Sequence, residues 1–158
     1  MLEDNTIRAF DGNELSYEEF LKKAKSLSES GLDVYVGTDS QIIKENISIA
    51  TCICFYKRGI KRNQIFHIKR KILKEKYPTL RARMLLEAYT SLEVALEIDP
   101  AVKSELIIHL DVGSDTRRNR TAKFSAELQM LVKSQGFGCA IKPDSWASSA
   151  VADKYSKT

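Results

Sequence analysis

No stretch of this chain approaches the ~18 consecutive apolar residues that a membrane-spanning helix needs. Its N-terminus, Met-Leu-Glu-Asp-Asn, has no charged-then-apolar leader. A cytoplasmic, non-membrane protein is the expectation. Cysteine is scarce, with three residues, Cys52, Cys54 and Cys139. The count is odd and the first two stand two apart on an expected strand, which favours reduced core thiols over a disulfide framework. No Cys/His spacing suits zinc. The GxxxxGK[ST] phosphate loop is missing, and so is a Ser/His/Asp set, which leaves phosphate or acyl transfer on a nucleotide with little support. Neither a repeat nor a low-complexity tract nor a linker interrupts the chain. Its 158 residues therefore read as a single domain, 1–158, with a helical extension (1–31) leading into a core (32–158). The formal net charge is only +4, so where the charges lie matters more than their sum.

What is present is an ordered series of periodic segments. Ser16-Tyr-Glu-Glu19 is a capping-box pattern and predicts a helix with Phe20, Leu21, Ala24 and Leu27 on one face, stopping at Gly31. Residues 33–39 and 46–56 read as strands, and Lys57–Arg62 as a hairpin turn around Gly59 leading into a third strand, 64–70. Pro78 marks the start of a helix over 79–98. A strand over 105–111, a helix from about Thr116 to Ser134, a short strand over 137–141 and a final helix from near Ser145 complete the chain. Short turns make the first three strands antiparallel, and the helix-preceded strands parallel to the first. The expected fold is α/β: a mixed five-stranded sheet in the order β-β-β-α-β-α-β-α, flanked by helices, with one extra N-terminal helix.

Four carboxylates stand out in that frame. Asp39 and Asp111 each close an apolar strand, and either alone reads equally well as a turn former. Glu87 projects beside Leu80, Ser91 and Ile98, at the edge of an apolar arc of Leu80, Met84, Leu85, Ala88, Leu92, Ala95 and Leu96. A carboxylate there needs a partner, either a cation or an arginine. Asp153 lies inside the last helix, where Asp has no local backbone role, whereas Asp144 after Pro143 suits a helix cap. Asp115 suits the start of the helix that follows. Oxygen ligands of this kind suit Mg²⁺, and a pair of such ions can clamp the attacking and leaving oxygens of a phosphodiester.

The order of these acids and elements resembles the ribonuclease H-like superfamily. Val-Gly-Thr-Asp-Ser (36–40) resembles its first-strand motif and Ala-Asp-Lys-Tyr-Ser (152–156) its C-terminal helix motif. His-Leu-Asp-Val-Gly (109–113) and Lys-Pro-Asp-Ser-Trp-Ala-Ser-Ser-Ala-Val-Ala-Asp (142–153) resemble, more narrowly, the small bacterial YkuK-type ribonuclease H-like family. The resemblance implies a metal-dependent nuclease. Asp39, Glu87, Asp111 and Asp153 would be its catalytic and metal-ligating residues, holding two Mg²⁺ (or Mn²⁺) ions, and cleavage would leave a 5′-phosphate and a 3′-hydroxyl. A binding module that kept the fold and lost turnover is the alternative, because the loop 142–145 lacks the histidine some relatives carry there. Lys142, Lys154 or a substrate phosphate would have to substitute. His67 and His109, on expected strands, read as packed or surface residues.

Nucleic acid is the implied partner, whether RNA, an RNA–DNA hybrid or structured DNA, with the oligomeric state open. Residues 57–76 hold nine Lys/Arg against one acid. The hairpin residues Lys57, Arg58, Lys61 and Arg62 suit a phosphate track flanking the site, or simple protection of a sheet edge. Arg117, Arg118 and Arg120, in an expected first helical turn, would oppose the helix dipole but suit phosphates near Asp111. Trp146 suits base stacking or packing equally.

Overall fold

The computed structural model describes residues 1–115, 117 and 119–157. The chain opens on a short hairpin, β1 (Ile7–Ala9) and β2 (Glu14–Leu15), turning at Gly12 with φ +89°. Helix α1 (Tyr17–Glu29) starts at the expected capping box, where Ser16 Oγ accepts from the Glu19 N–H and Glu19 reaches back to the Ser16 N–H. It stops before Gly31, at φ +97°. Three long strands follow: β3 (Asp33–Ile43), β4 (Asn46–Tyr56) and β5 (Gln64–Leu73). Helix α2 (Leu80–Ile98) is capped by the Thr79 side chain. Then come β6 (Leu106–His109), α3 (Ser125–Ser134) and β7 (Gly138–Ala140). A terminal helix runs as a wide π-turn over Ala147–Ala152 and tightens into α4 (Asp153–Ser156). Among the described residues no helix is long and apolar enough to cross a membrane.

The sheet order is β2-β1-β5-β4-β3-β6-β7, with β3, β4 and β5 mutually antiparallel, β6 parallel to β3 and β7 parallel to β6. The five expected strands and their directions are present. Beyond them, β1 pairs antiparallel with β5 and carries β2 outward, so the segment before α1 is a sheet edge as well as a lead-in to a helix. Its strands, of three and two residues, are too short for alternation to register in a sequence.

The two faces of the sheet are covered unequally. Even-numbered residues of β3 and β5 and odd-numbered ones of β4 meet α1, α2 and α3 in the large core around Phe20, Val36, Ile53, Phe66, Leu92 and Leu128. The opposite face carries only the terminal helix, which packs Ala147, Ala152 and Trp146 over Cys52, Cys54 and Tyr35. That helix lies directly on the strand backbone. A Cβ on Gly37 would sit 2.4 Å from the Ser148 nitrogen and 2.5 Å from the Ala147 carbonyl carbon. Its first free N–H, of Ala147, donates to Nδ1 of the buried His109 at 3.0 Å. Ser145, rather than the expected Asp144, supplies the carbonyl that receives the Ser148 and Ser149 N–H groups.

Two further expectations are corrected. The helix expected from Thr116 begins at Ser125, after a 3₁₀ turn at Ala122–Phe124; Thr116 and Arg118 lie outside the described residues. Asp115 instead closes a single turn, its Oδ1 accepting from the Arg117 N–H at 2.9 Å and its carbonyl from the Asn119 N–H at 2.9 Å. Arg117 and Arg120 therefore face no helix dipole. Helix α2 is also rotated from its expected orientation. Leu96 is half exposed, while Glu87, Thr90, Ser91 and Val94 are buried. The polar members of that face find partners: Ser91 Oγ meets Thr38 Oγ1 at 2.7 Å, and Thr90 Oγ1 donates to the Leu86 carbonyl at 2.7 Å. Satisfied hydroxyls are cheap to bury, so they can displace a leucine from the interface.

Because backbone, and no flexible side chain, occupies the space above Gly37, Gly37→Ala should lower unfolding stability by about 1–3 kcal/mol. Urea denaturation measures it, and an unchanged midpoint would mean that the terminal helix does not rest on β3.

Candidate metal centre

Strand register brings the first two acids together. Gly37 pairs with His109 in the parallel β3–β6 ladder. Asp39 and Asp111 each follow two residues later, side by side where the strands end. Helix α2 brings Glu87 from the opposite face. Ligand oxygens of Asp39, Glu87 and Asp111 lie within 4.8 Å of one another. Asp153 is placed beside this trio by the terminal helix, and the Gln41 amide ties it in, donating to Asp39 Oδ2 at 3.1 Å and to Asp153 Oδ1 at 3.3 Å.

Each acid is held by its own neighbours. Ser40 donates twice to Glu87 Oε2, from its N–H at 3.0 Å and its hydroxyl at 2.6 Å. Ser156 Oγ donates to Asp39 Oδ2 at 2.6 Å. Lys142 Nζ is 3.1 Å from Asp111 Oδ1 and Lys157 Nζ 2.7 Å from Asp153 Oδ2. The Lys142 contact is an ion pair outside hydrogen-bonding geometry, so Asp111 Oδ1 stays buried without a hydrogen-bond partner.

The electrostatics follow from burial. Desolvation pushes the Asp39 carboxyl up to about 6; the bonds from Ser156 and Gln41 pull it down, and the nearby Asp111 charge adds to the rise. Glu87 is raised well above its ordinary value, again mainly by burial, with the Ser40 hydroxyl opposing and the charges of Asp39 and Asp111 reinforcing. A hydrogen bond to a charged group contributes roughly 1.5–3 kcal/mol, while burying a charge costs several. The bonds from Ser40 alone do not make an ionised Glu87 comfortable. The donor set fits a hard divalent cation: it consists of carboxylate oxygens, it is overcharged without one, and it contains an orphaned oxygen on Asp111.

Other expected residues fall elsewhere. Lys154 is exposed on the terminal helix, and Lys157, one turn on from Asp153, is the lysine at the site. Gln41, Ser40, Ser156 and Lys157 had no assigned role, although Ser156 and Lys157 lie at helical spacing from Asp153. Arg120 and Lys142 line a cleft of about 290 Å³ with Leu80, Asn119 and Thr121. Arg117 is exposed on the same loop, and Arg118 lies outside the described residues. His109 is packed against Tyr35 and Trp146, ring centroids 5.0 Å from each, which makes Trp146 a packing residue.

The hairpin of Lys57, Arg58, Lys61 and Arg62 does not flank the site. Tyr56 pairs with Asp33, whereas Asp39 is six residues further along β3. That places the turn roughly 20 Å from the carboxylates. Lys57 binds Asp33 there at 3.1 Å. A 410 Å³ hollow lined by Phe10, Asn63 and Ile65 lies at that same remote end.

A mixed sheet whose parallel pair ends in acids, joined by acids from helices on both faces, defines a class of α/β proteins with a carboxylate centre. The Ribonuclease H-like family model matches residues 16–157, and the chain belongs to that family. The match does not reach the narrower YkuK-type group. No curated protein and no solved structure matches the chain.

The raised Asp39 carboxyl has a stability consequence. A folded-state value above the unfolded one contributes stability that is full below pH ~4 and lost as pH rises through about 6. His109 works in the opposite sense: burial lowers it to about 4, so its contribution is full above its ordinary 6.5 and lost as pH falls through about 4. The difference between wild type and Asp39→Asn isolates the carboxylate. In EDTA the variant should be the more stable by the order of 1–2 kcal/mol at pH 7 and lose that advantage near pH 4. A variant less stable at every pH would make Asp39 a structural acceptor for Ser156 and Gln41.

Proposed function

We propose that this protein is a metal-dependent nuclease that hydrolyses phosphodiester bonds of nucleic acid. The observation that carries the reading is the convergence of Asp39, Glu87 and Asp111 oxygens within 4.8 Å in a member of the ribonuclease H-like family. Asp39, Glu87 and Asp111, with Asp153 beside them, would hold two Mg²⁺ or Mn²⁺ ions. When bound, such ions supply activation of the attacking water and charge neutralisation at the phosphodiester.

The protein's own groups do the positioning. Ser40 fixes the Glu87 carboxylate, and Ser156 and Gln41 fix that of Asp39, so each presents its remaining lone pairs in one orientation. Lys142 and Lys157 balance Asp111 and Asp153 in the metal-free protein. On loading, both ammoniums must give way. Freed beside the site, Lys142 can pair with a substrate phosphate or hand a proton to a departing oxygen, the work of the missing loop histidine. Arg120, in the cleft next to it, can hold a neighbouring phosphate.

The same lysines favour a second reading, a binding module without turnover, because they already occupy two of the four acids. A cleavage panel over single-stranded RNA, RNA–DNA hybrid and branched DNA, with Mg²⁺, Mn²⁺ or EDTA, separates the two. Metal-dependent cleavage that falls by orders of magnitude in Asp111→Asn, with binding largely retained, is expected. Binding without cleavage at any metal concentration would support the second reading.

A further inference from the structure

The terminal helix covers only part of its side of the sheet. In register, Asp39 pairs with Ala50 and Ala50 with Lys69; Gln41 pairs with Ser48 and Ser48 with Lys71. Paired residues share a face. Lys69 and Lys71 therefore project on the same side as Asp39 and Gln41, two strands over, about 10 Å away. Between them stand only Ala50 and Ser48, too short to rise above the sheet, so the carboxylates and the lysines face each other across a trough. Tyr155 of the terminal helix borders it, stacked on His67 with centroids 3.8 Å apart.

Two hollows open along the lysine side. One, of about 390 Å³, is lined by Thr6, Arg8, His67 and Lys69. The other, of about 220 Å³, is lined by Ile43, Lys44, Asn46, Ser48 and Lys71, and the Ser48 hydroxyl is buried there without a hydrogen-bond partner. Cations line both hollows and acids line neither. The acids nearest by lie at the rims, where Glu14 pairs with Arg8 at 3.0 Å and Glu45 reaches Lys74 at 4.0 Å. The positive field is felt by His67, which burial and then the charges of Arg8 and Lys69 push down to about 4.

We infer that this face, with Lys69 and Lys71 at its centre and Arg8 and Lys44 at its ends, is the track for a single nucleic-acid strand whose scissile phosphate lies at Asp39. The inference rests on the nuclease reading above, and it replaces the remote hairpin as the source of backbone contacts. Lys69 and Lys71 are two residues apart on one strand, about 6–7 Å, a spacing suited to successive phosphates. A mononucleotide would need one such hollow; two in line, with a trough leading to the carboxylates, suit a polymer.

The test is fluorescence anisotropy of a fluorescein-labelled single-stranded oligoribonucleotide with the full chain in EDTA, across a salt series. Lys69→Gln/Lys71→Gln should weaken binding roughly tenfold and flatten the salt slope by about 0.7 per lysine lost. Lys69→Arg/Lys71→Arg should bind as wild type does, which separates charge from misfolding. Neutralising the remote hairpin instead, as Arg58→Gln/Lys61→Gln, should leave binding within twofold of wild type. An unchanged affinity and slope in Lys69→Gln/Lys71→Gln overturns the track while leaving the nuclease reading standing. Inorganic phosphate competing as effectively as unlabelled RNA overturns it in favour of a small-anion site. Absence of RNA binding by wild type at low salt overturns both.

Discussion

Backbone lies on backbone where the terminal helix crosses β3 at Gly37, and the arrangement of the carboxylates depends on that contact. With no Cβ in the way, Ala147 and Ser148 sit within a few ångströms of the strand, and the π-turn that follows widens to fit over Cys52 and Cys54. His109, from the neighbouring strand, accepts the helix's first N–H and fixes its start. The result is that Asp153, Ser156 and Lys157 all arrive beside Asp39. A displaced helix would leave Asp39 without its Ser156 donor and Asp153 without its link through Gln41.

Energetically the centre is an arrangement of charges that the fold does not satisfy by itself. Burial raises both Asp39 and Glu87, and proximity to Asp111 raises them further. The protein answers with short-range donors and two lysines, and these are unequal to the task. Ser40 and Gln41 each serve oxygens already crowded by other carboxylates, and Asp111 keeps an oxygen with no hydrogen-bond partner. A divalent cation would relieve all of these costs at once. The stability of the metal-free protein and its affinity for cations are therefore two readings of one electrostatic quantity.

Much of this was legible in the chain because the signals were local. Ser16 and Glu19 announce the capping box, Thr79 follows Pro78 at the head of α2, and the apolar runs ending at Asp39 and Asp111 are strands whose direction follows from the intervening helix. Register was not legible. Pairing Tyr56 with Asp33 sends the Lys57–Arg62 hairpin to the far end of the sheet, while Lys69 and Lys71, from the same basic run, fall opposite the site. Rotation of α2 was hidden for a related reason: Thr90 and Ser91 look like surface residues until Leu86 and Thr38 satisfy them. Gln41 carries no motif at all, and only the meeting of β3 with the terminal helix gives its amide two carboxylates to bridge. The loop arginines misled through their spacing, since Arg117 and Arg120 lie on turns that precede α3.

Anomalous diffraction from a crystal soaked in Mn²⁺ tests the central claim, that these acids form one metal centre, most directly. Peaks should lie among the carboxylates of Asp39, Glu87 and Asp111, with Lys142 and Lys157 drawn away from Asp111 and Asp153. Saturating Mn²⁺ that leaves the cluster without a peak, and both lysines in their ion pairs, would contradict the account.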